Sequence, residues 1–257
     1  MERRRIVVVG SGNVATHLAP ALDRENDVVQ VVARSLESAS KVSSLTRNGR
    51  ACALLSEIEP DADFYIVAVN DDAVEAVAKS MPRVAGVVAH TSGSVPMSAL
   101  AGTSARVGVF YPLQTFSREA KVDVERVPFF IEGNTPACAD ELAALARTIS
   151  HSVEFADSAR RSVLHLAAVF ACNFSNYMWD CADGILAEAG LSLEVMRPLL
   201  EVTLDKAMTL GPRAAQTGPA RRHDYWVMNS QSSKLPENLS KIYDILSQGI
   251  IENHSDK

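Results

Sequence analysis

The chain has 257 residues, 47% of them hydrophobic and 22% charged, with a formal net charge of -6. That length exceeds a typical domain of roughly 100–200 residues and supplies a sizeable core, so two unequal domains are expected and wholesale disorder is excluded. The acidic balance repels nucleic acid and anionic membrane, the only tight basic run being Arg3-Arg4-Arg5, so small molecules are the expected partners.

The apolar stretch 6–9 after that basic start is too short for a signal-peptide core. No stretch approaches the roughly 18 apolar residues of a membrane span, so a cytoplasmic location is expected. Cys52, Cys138, Cys172 and Cys181 show no C-x-x-C spacing. The histidines among them fall in no ligand pattern, so the cysteines read as reduced structural thiols and no metal site is expected.

In chain order, residues 6–9, 28–33, 64–69, 87–90, 107–111 and 129–132 are nearly all apolar and rich in β-branched side chains, which predicts buried strands. Helical periodicity lies between them at 13–22, 38–46 and 72–81, with Asp71 or Asp72 available as a cap for the third. A helix at 137–149 and a short strand at 153–155 close the pattern. Strands alternating with helices predict parallel βαβ units wound on both faces of one sheet. Beyond Asp157 strand-like alternation stops, and helical periods occupy 159–189, 193–210 and 235–251, linked by a polar, breaker-rich stretch at 211–236.

The segment RRIVVVGSGNVATHLA sets Gly10, Gly12 and Ala15 in G-x-G-x-x-A order directly after a strand and before a helix. Gly10 permits the tight turn, Gly12 lets a pyrophosphate approach the backbone, and Ala15 keeps helix and strand close, while the first helical N–H groups receive negative charge. This predicts a Rossmann-type dinucleotide domain, with Gly10, Ser11, Gly12, Asn13 and Val14 around the pyrophosphate. Two later turns, carrying Val69 and Asn70 and then Thr91, Ser92 and Gly93, lie at the carboxyl edge of the sheet, where they are expected to pass under the ribose and nicotinamide. His90, at the end of its strand, reads as a satisfied structural histidine more readily than as a catalyst.

About 20 positions beyond the glycines, where an NAD-specific domain usually carries a carboxylate, stands Arg34. A guanidinium binds a 2′-phosphate through two charge-assisted hydrogen bonds, and Ser35 and Ser38 add donors, so NADP(H) is the predicted cofactor. The alternative is a solvated surface arginine.

On a regular helix, His165, Val169, Asn173, Asn176, Asp180 and Asp183 fall within an arc of about 80°, and most of the remaining circumference is apolar. His165 is the candidate proton donor and Asn173 the candidate anchor for a polar substrate group. An ordinary solvent-facing edge explains the stripe as well. The segment Tyr111-Pro112-Leu113-Gln114-Thr115-Phe116 suits a pocket wall in which Gln114 contacts substrate, although packing explains it equally. Arg221 and Arg222 follow Thr217-Gly218-Pro219, where a helix start could present Arg221 to a substrate carboxylate, or merely connect two helices.

Together GSGNVATHLA, AVNDDAV, HTSGSVP, GVFYPLQTFS, HLAAVFACNFSNYM and TGPARRHD resemble a family of bacterial Rossmann-like NADP oxidoreductases with a C-terminal helical domain of unknown function. The family is similar in turn to pyrroline-5-carboxylate reductase, ketopantoate reductase and the deazaflavin-coenzyme-dependent NADP reductases. That resemblance implies a Rossmann domain followed by a helical, often dimerising, domain. In ketopantoate reductases a lysine precedes asparagines on the equivalent helix. Here His165 stands in its place, so the resemblance carries no catalytic role onto His165, and Asn173 is the better match.

The resulting expectation is an α/β protein with an N-terminal Rossmann domain over residues 1–156, built on a doubly wound, mainly parallel sheet. An all-helical substrate and dimerisation domain follows over residues 157–257, forming a homodimer. The expected activity is NADP(H)-dependent hydride transfer to or from a small, anionic carbonyl or imine compound in the cleft between domains. A non-catalytic NADP(H) sensor and an NADP:deazaflavin coenzyme reductase are the alternatives.

Overall fold

The computed structural model of the chain describes residues 3–255, which divide into two compact units, one ending at Cys172 and the other beginning at Asn173. The first unit runs β1 (Arg5–Val9), α1 (Asn13–Glu25), β2 (Asp27–Val32), α2 (Leu36–Ser43), β3 (Arg50–Cys52), β4 (Phe64–Val67), α3 (Val74–Ser80), β5 (Val87–His90), β6 (Val107–Pro112), β7 (Phe129–Gly133), α4 (Pro136–Ala146), β8 (Val153–Phe155) and α5 (Ser158–Ala168).

Its eight strands form one sheet in the order β3-β2-β1-β4-β5-β6-β7-β8. Every neighbouring pair is parallel except β6 and β7, which run antiparallel with Phe110 opposite Ile131. The chain order reverses between β1 and β4, so the connections leaving their carboxyl ends diverge and open a crevice there. This is the doubly wound, mainly parallel Rossmann architecture read from the strand pattern.

Alternation along β1 explains why its run is continuously apolar. Ile6 and Val8 join one core with Leu18, Leu22, Phe110 and Leu142, whereas Val7 and Val9 join a second with Tyr65, Val67, Val88 and Leu100. Both faces of the strand are thus covered. A third, smaller cluster of Val109, Tyr111, Phe130 and Ala156 receives Leu164 of α5.

Local chemistry sets several boundaries differently from periodicity alone. The second helix starts at Leu36 because Ser35 accepts a hydrogen bond from the Ser38 N–H. Thr135 caps α4 in the same way, with Pro136 in its first turn. Neither Asp71 nor Asp72 caps α3, since both belong to a 3-10 turn that precedes it. The three-residue edge strand β3 is too short to carry its own pattern.

The second unit is helical: α6 (Ser175–Ala187), α7 (Arg197–Leu210), α8 (Pro212–Ala215), α9 (Tyr225–Ser232) and α10 (Glu237–His254). The expected connection at 211–236 holds two short helices, one of them capped by Asp224. The expected single helix at 159–189 is interrupted by π-helical residues Val169–Phe174, which break the 3.6-residue period on which its polar arc was drawn. Among the described residues of this unit, only Ala220 and Ser247 are buried.

Candidate functional site

The turn after β1 is shaped by backbone crowding. Gly10 has φ +130°, and a Cβ there would lie 2.0 Å from the Ala68 carbonyl oxygen, so no other residue fits. Its N–H donates to Val32 O at 2.8 Å, which holds the turn at the crevice between the ends of β2 and β4. Gly12 is the N-cap of α1, is exposed, and faces open space. No side chain caps this thirteen-residue helix and no acidic residue lies in its first turn. Its first N–H groups and the positive end of its dipole are therefore available to an anion.

A cavity of about 870 Å³ opens over this turn. Gly10, Ser11 and Gly12 form one wall, Arg34 and Ser38 another, and Val69 and Asn70 a third, with Leu54, Leu55 and Val77 supplying apolar surface. Of the other residues marked in the sequence, Ser35 spends its hydroxyl on Ser38, and the Asn13 amide donates to Phe116 O at 2.9 Å. Val14 packs against the core. Thr91, Ser92 and Gly93 do not line the cavity; they form a buried turn beyond β5. Arg118, which no motif marks, lines the cavity and donates to Ser11 O at 2.7 Å across 107 residues of chain.

The turn after β5 meets a second constellation. Tyr111, at the end of β6, approaches His165 of α5 with Oη 3.3 Å from Nδ1 and the rings edge-on. Gly93 presses against both: a Cβ there would lie 2.7 Å from His165 Nδ1 and 2.7 Å from Tyr111 Cζ. Burial, and then the Asp71 carboxylate, push the Tyr111 phenol above its ordinary pKa of 10.0. At neutral pH it therefore keeps its proton, and its Oη can donate to Nδ1 of the half-buried His165 or accept from it, according to the tautomer of the ring.

One turn before His165 on the same face of α5, Arg161 is almost completely buried. It pairs with Glu132 of β7 and donates to Val95 O at 2.7 Å, while Ser158 also donates to Glu132. This buried ion pair fixes α5 against the sheet. His90 lies nearby, fully buried, its Nδ1 accepting from the Ser92 N–H at 3.2 Å. Burial, and then the Arg161 guanidinium, lower its pKa from 6.5 to about 4. His90 is thus held neutral inside the turn, but only Nδ1 is satisfied, since its buried Nε2 has no hydrogen-bond partner among the described residues.

Of the remaining candidates, Gln114 is exposed and accepts from the Thr115 N–H at 2.7 Å. Asn173 and Arg221 belong to the second unit and are both exposed, Asn173 on the π-helical stretch and Arg221 on a single 3-10 turn. Among the described residues no cluster of metal-ligating side chains occurs, and no helix is long and apolar enough to cross a membrane.

A glycine turn opening an uncapped helix at the switch point of a parallel sheet defines a dinucleotide-binding Rossmann protein. Residues 1–97 match a family model described as putative NAD(P)-binding, and residues 127–250 match a domain of unknown function, DUF2520. A protein from Bacteroides fragilis described as a putative NADP oxidoreductase is 38% identical over 97% of this chain and 98% of its own, with a TM-score of 0.89. The chain therefore belongs to that family, in which an NAD(P)-binding Rossmann domain precedes a DUF2520 domain. Two more distant structures share the fold. One is a reductive aminase from Aspergillus terreus in complex with NADPH and ethyl levulinate, 15% identical over 97% of this chain and 94% of its own, with a TM-score of 0.72. The other is 1-pyrroline-5-carboxylate reductase from Streptococcus pyogenes, 12% identical over 97% and 99%, with a TM-score of 0.63. No curated protein matches the chain.

Proposed function

We propose that the protein is an NADP(H)-dependent oxidoreductase acting on a small, anionic carbonyl or imine compound. The observation that carries this reading is the cavity over the uncapped start of α1, whose far wall presents Arg34 and Ser38 where an NAD-specific site would present a carboxylate. Open space at Gly12 and the free helix N–H groups suit the pyrophosphate, and the Arg34 guanidinium suits a 2′-phosphate.

Bound NADPH supplies a hydride from its nicotinamide. His165 is the proposed proton donor: in its imidazolium form Nδ1–H donates to Tyr111 Oη, which orients the ring, and the Nε2 proton passes to the oxygen or nitrogen left negative by reduction, leaving the neutral imidazole. Solvent restores that proton, because His165 is only half buried. Asn173, Gln114 and Arg221 are the proposed substrate contacts, and the exposed cation Arg221 is the reason for favouring an anionic compound.

The experiment is a two-stage one. Binding titrations are expected to give tighter NADPH than NADH binding, and an Arg34→Asp variant that loses the difference; equal affinities in the native protein would refute the NADP assignment. A panel of keto acids, aldehydes and imines, followed by NADPH absorbance, should then reveal turnover that His165→Gln abolishes. NADPH that binds and is consumed with no member of the panel would instead identify a cofactor sensor.

We also propose that the helical unit associates with a second copy of the chain. The exposed apolar side chains of the second unit include Trp226 and Met208, each 80% exposed, and Ile245, 72% exposed. Large apolar side chains left this exposed on one helical unit favour a surface that a partner covers. Sedimentation showing a monomer at micromolar concentration would overturn this assignment.

A further inference from the structure

Arg118 reaches the cavity from the opposite half of the sheet to the segments that normally recognise the adenosine end of a dinucleotide. We propose that Arg118 is a ligand of the cofactor 2′-phosphate and, with Arg34, a determinant of NADP(H) selectivity. The proposal rests on the NADP(H) reading above.

Three observations carry it. First, a smaller hollow of about 130 Å³ shares Ser11, Ser38 and Arg118 with the main cavity and adds Thr16, Lys41 and Val42. Its lining brings two cations and three hydroxyls together beside α2, directly after β2, where the ribose 2′ position of a Rossmann cofactor falls.

Second, the charges there are unequal in availability. Lys41 is engaged by Glu37 at 2.7 Å, whereas Arg118, and Arg34 in the adjoining main cavity, pair with no carboxylate among the described residues. Two unpaired guanidinium groups match the charge of a phosphate dianion. Arg118 now spends one N–H on the Ser11 carbonyl, and its remaining donors are uncommitted.

Third, the segment carrying Arg118 is tied down. The Asn13 amide donates to Phe116 O at 2.9 Å, the His17 Nε2 lies 2.8 Å from Ser117 O, and the His17 and Phe116 rings meet at a tilt with centroids 5.3 Å apart. The two residues preceding Arg118 are thus fastened to α1, which lowers the entropic cost of holding its side chain over the subsite. The pyrophosphate has its own donors at the start of α1, so the 2′-phosphate is the group that needs Arg118.

Titrations with 2′,5′-ADP and 5′-AMP test this directly, because the two probes differ only by the 2′-phosphate. Arg118→Met is expected to weaken 2′,5′-ADP binding by about ten- to a hundredfold, the loss of one charge-assisted phosphate contact, and to leave 5′-AMP unchanged. Undiminished 2′,5′-ADP binding, or an equal loss with both probes, would overturn the assignment. Native protein that failed to prefer 2′,5′-ADP would instead refute the NADP(H) reading itself, so the two failures are distinguishable. Arg118 is exposed, and its replacement leaves the cores intact.

Discussion

Tyr111 Oη and His165 Nδ1 stand 3.3 Å apart although 54 residues separate them in the chain, and Gly93 occupies the remaining space beside the pair. Three elements, β6, α5 and the turn after β5, must be in register for this contact to exist. Tyr111→Phe removes only the phenolic oxygen. It is expected to lower turnover by roughly ten- to a hundredfold while leaving NADPH affinity unchanged, the effect of losing orientation in proton transfer. Gly93→Ala should do similar damage by a different route, since its Cβ would collide with both rings. Parallel measurement of cofactor affinity and turnover checks both, and a Tyr111→Phe protein with native turnover would exclude the pair from catalysis.

The two turn glycines should fail in opposite ways. Gly10→Ala places a methyl against the Ala68 carbonyl with φ at +130°, costing roughly 3 kcal/mol or more of stability through overlap and strain. Gly12→Ala meets nothing within 4 Å and keeps an ordinary backbone, so its stability should stay close to native. Its methyl would occupy the space a pyrophosphate must enter, so NADPH affinity should fall. Denaturant unfolding and a binding titration on each variant separate the two behaviours.

His90 makes stability depend on pH in a defined window. Unfolded, it titrates near 6.5; folded, it stays neutral down to about 4. Above pH 6.5 neither state is protonated and the residue contributes no slope. Between 6.5 and 4 the unfolded chain binds a proton that the folded chain refuses, so about 3 kcal/mol of stability is lost as pH falls, with no further loss below. Urea unfolding at pH 7 and pH 4.5 should show this, and His90→Asn should flatten it. An unchanged slope in that variant would mean that other groups govern acid sensitivity.

Breaking the Arg161–Glu132 pair from one side should be severe. Arg161→Met strands the Glu132 carboxylate, at a cost of about 3–5 kcal/mol, whereas Arg161→Met combined with Glu132→Gln should recover a substantial part. A double-mutant cycle measures the difference. Strict additivity would show that the two side chains act independently.

What could be read before the fold was known follows from chain distance. Gly10, Gly12 and Ala15 lie in one short segment whose strand-to-helix context is local, and Arg34 stands at a fixed offset along the next strand. Tyr111 with His165, Arg161 with Glu132, and Arg118 with Ser11 are separated by 54, 29 and 107 residues. No periodicity links such pairs; they meet only because the sheet order brings β5, β6 and β7 beside one another and carries the segment after β6 back over α1. The polar arc through His165 and Asn173 assumed one regular helix, and the π-helical turn between Val169 and Phe174 breaks that assumption where hydropathy gives no sign.

The helical unit, with Ala220 and Ser247 as its only buried residues among those described, has almost no interior of its own. Chain entropy of about 1–2 kcal/mol per ordered residue cannot be offset by helices whose apolar side chains remain in water. On the proposed association with a second copy, its folding is linked to binding, and stability becomes a property of the solution as well as of the chain. The thermal midpoint should rise with protein concentration, as mass action requires when a partner binds only the folded state.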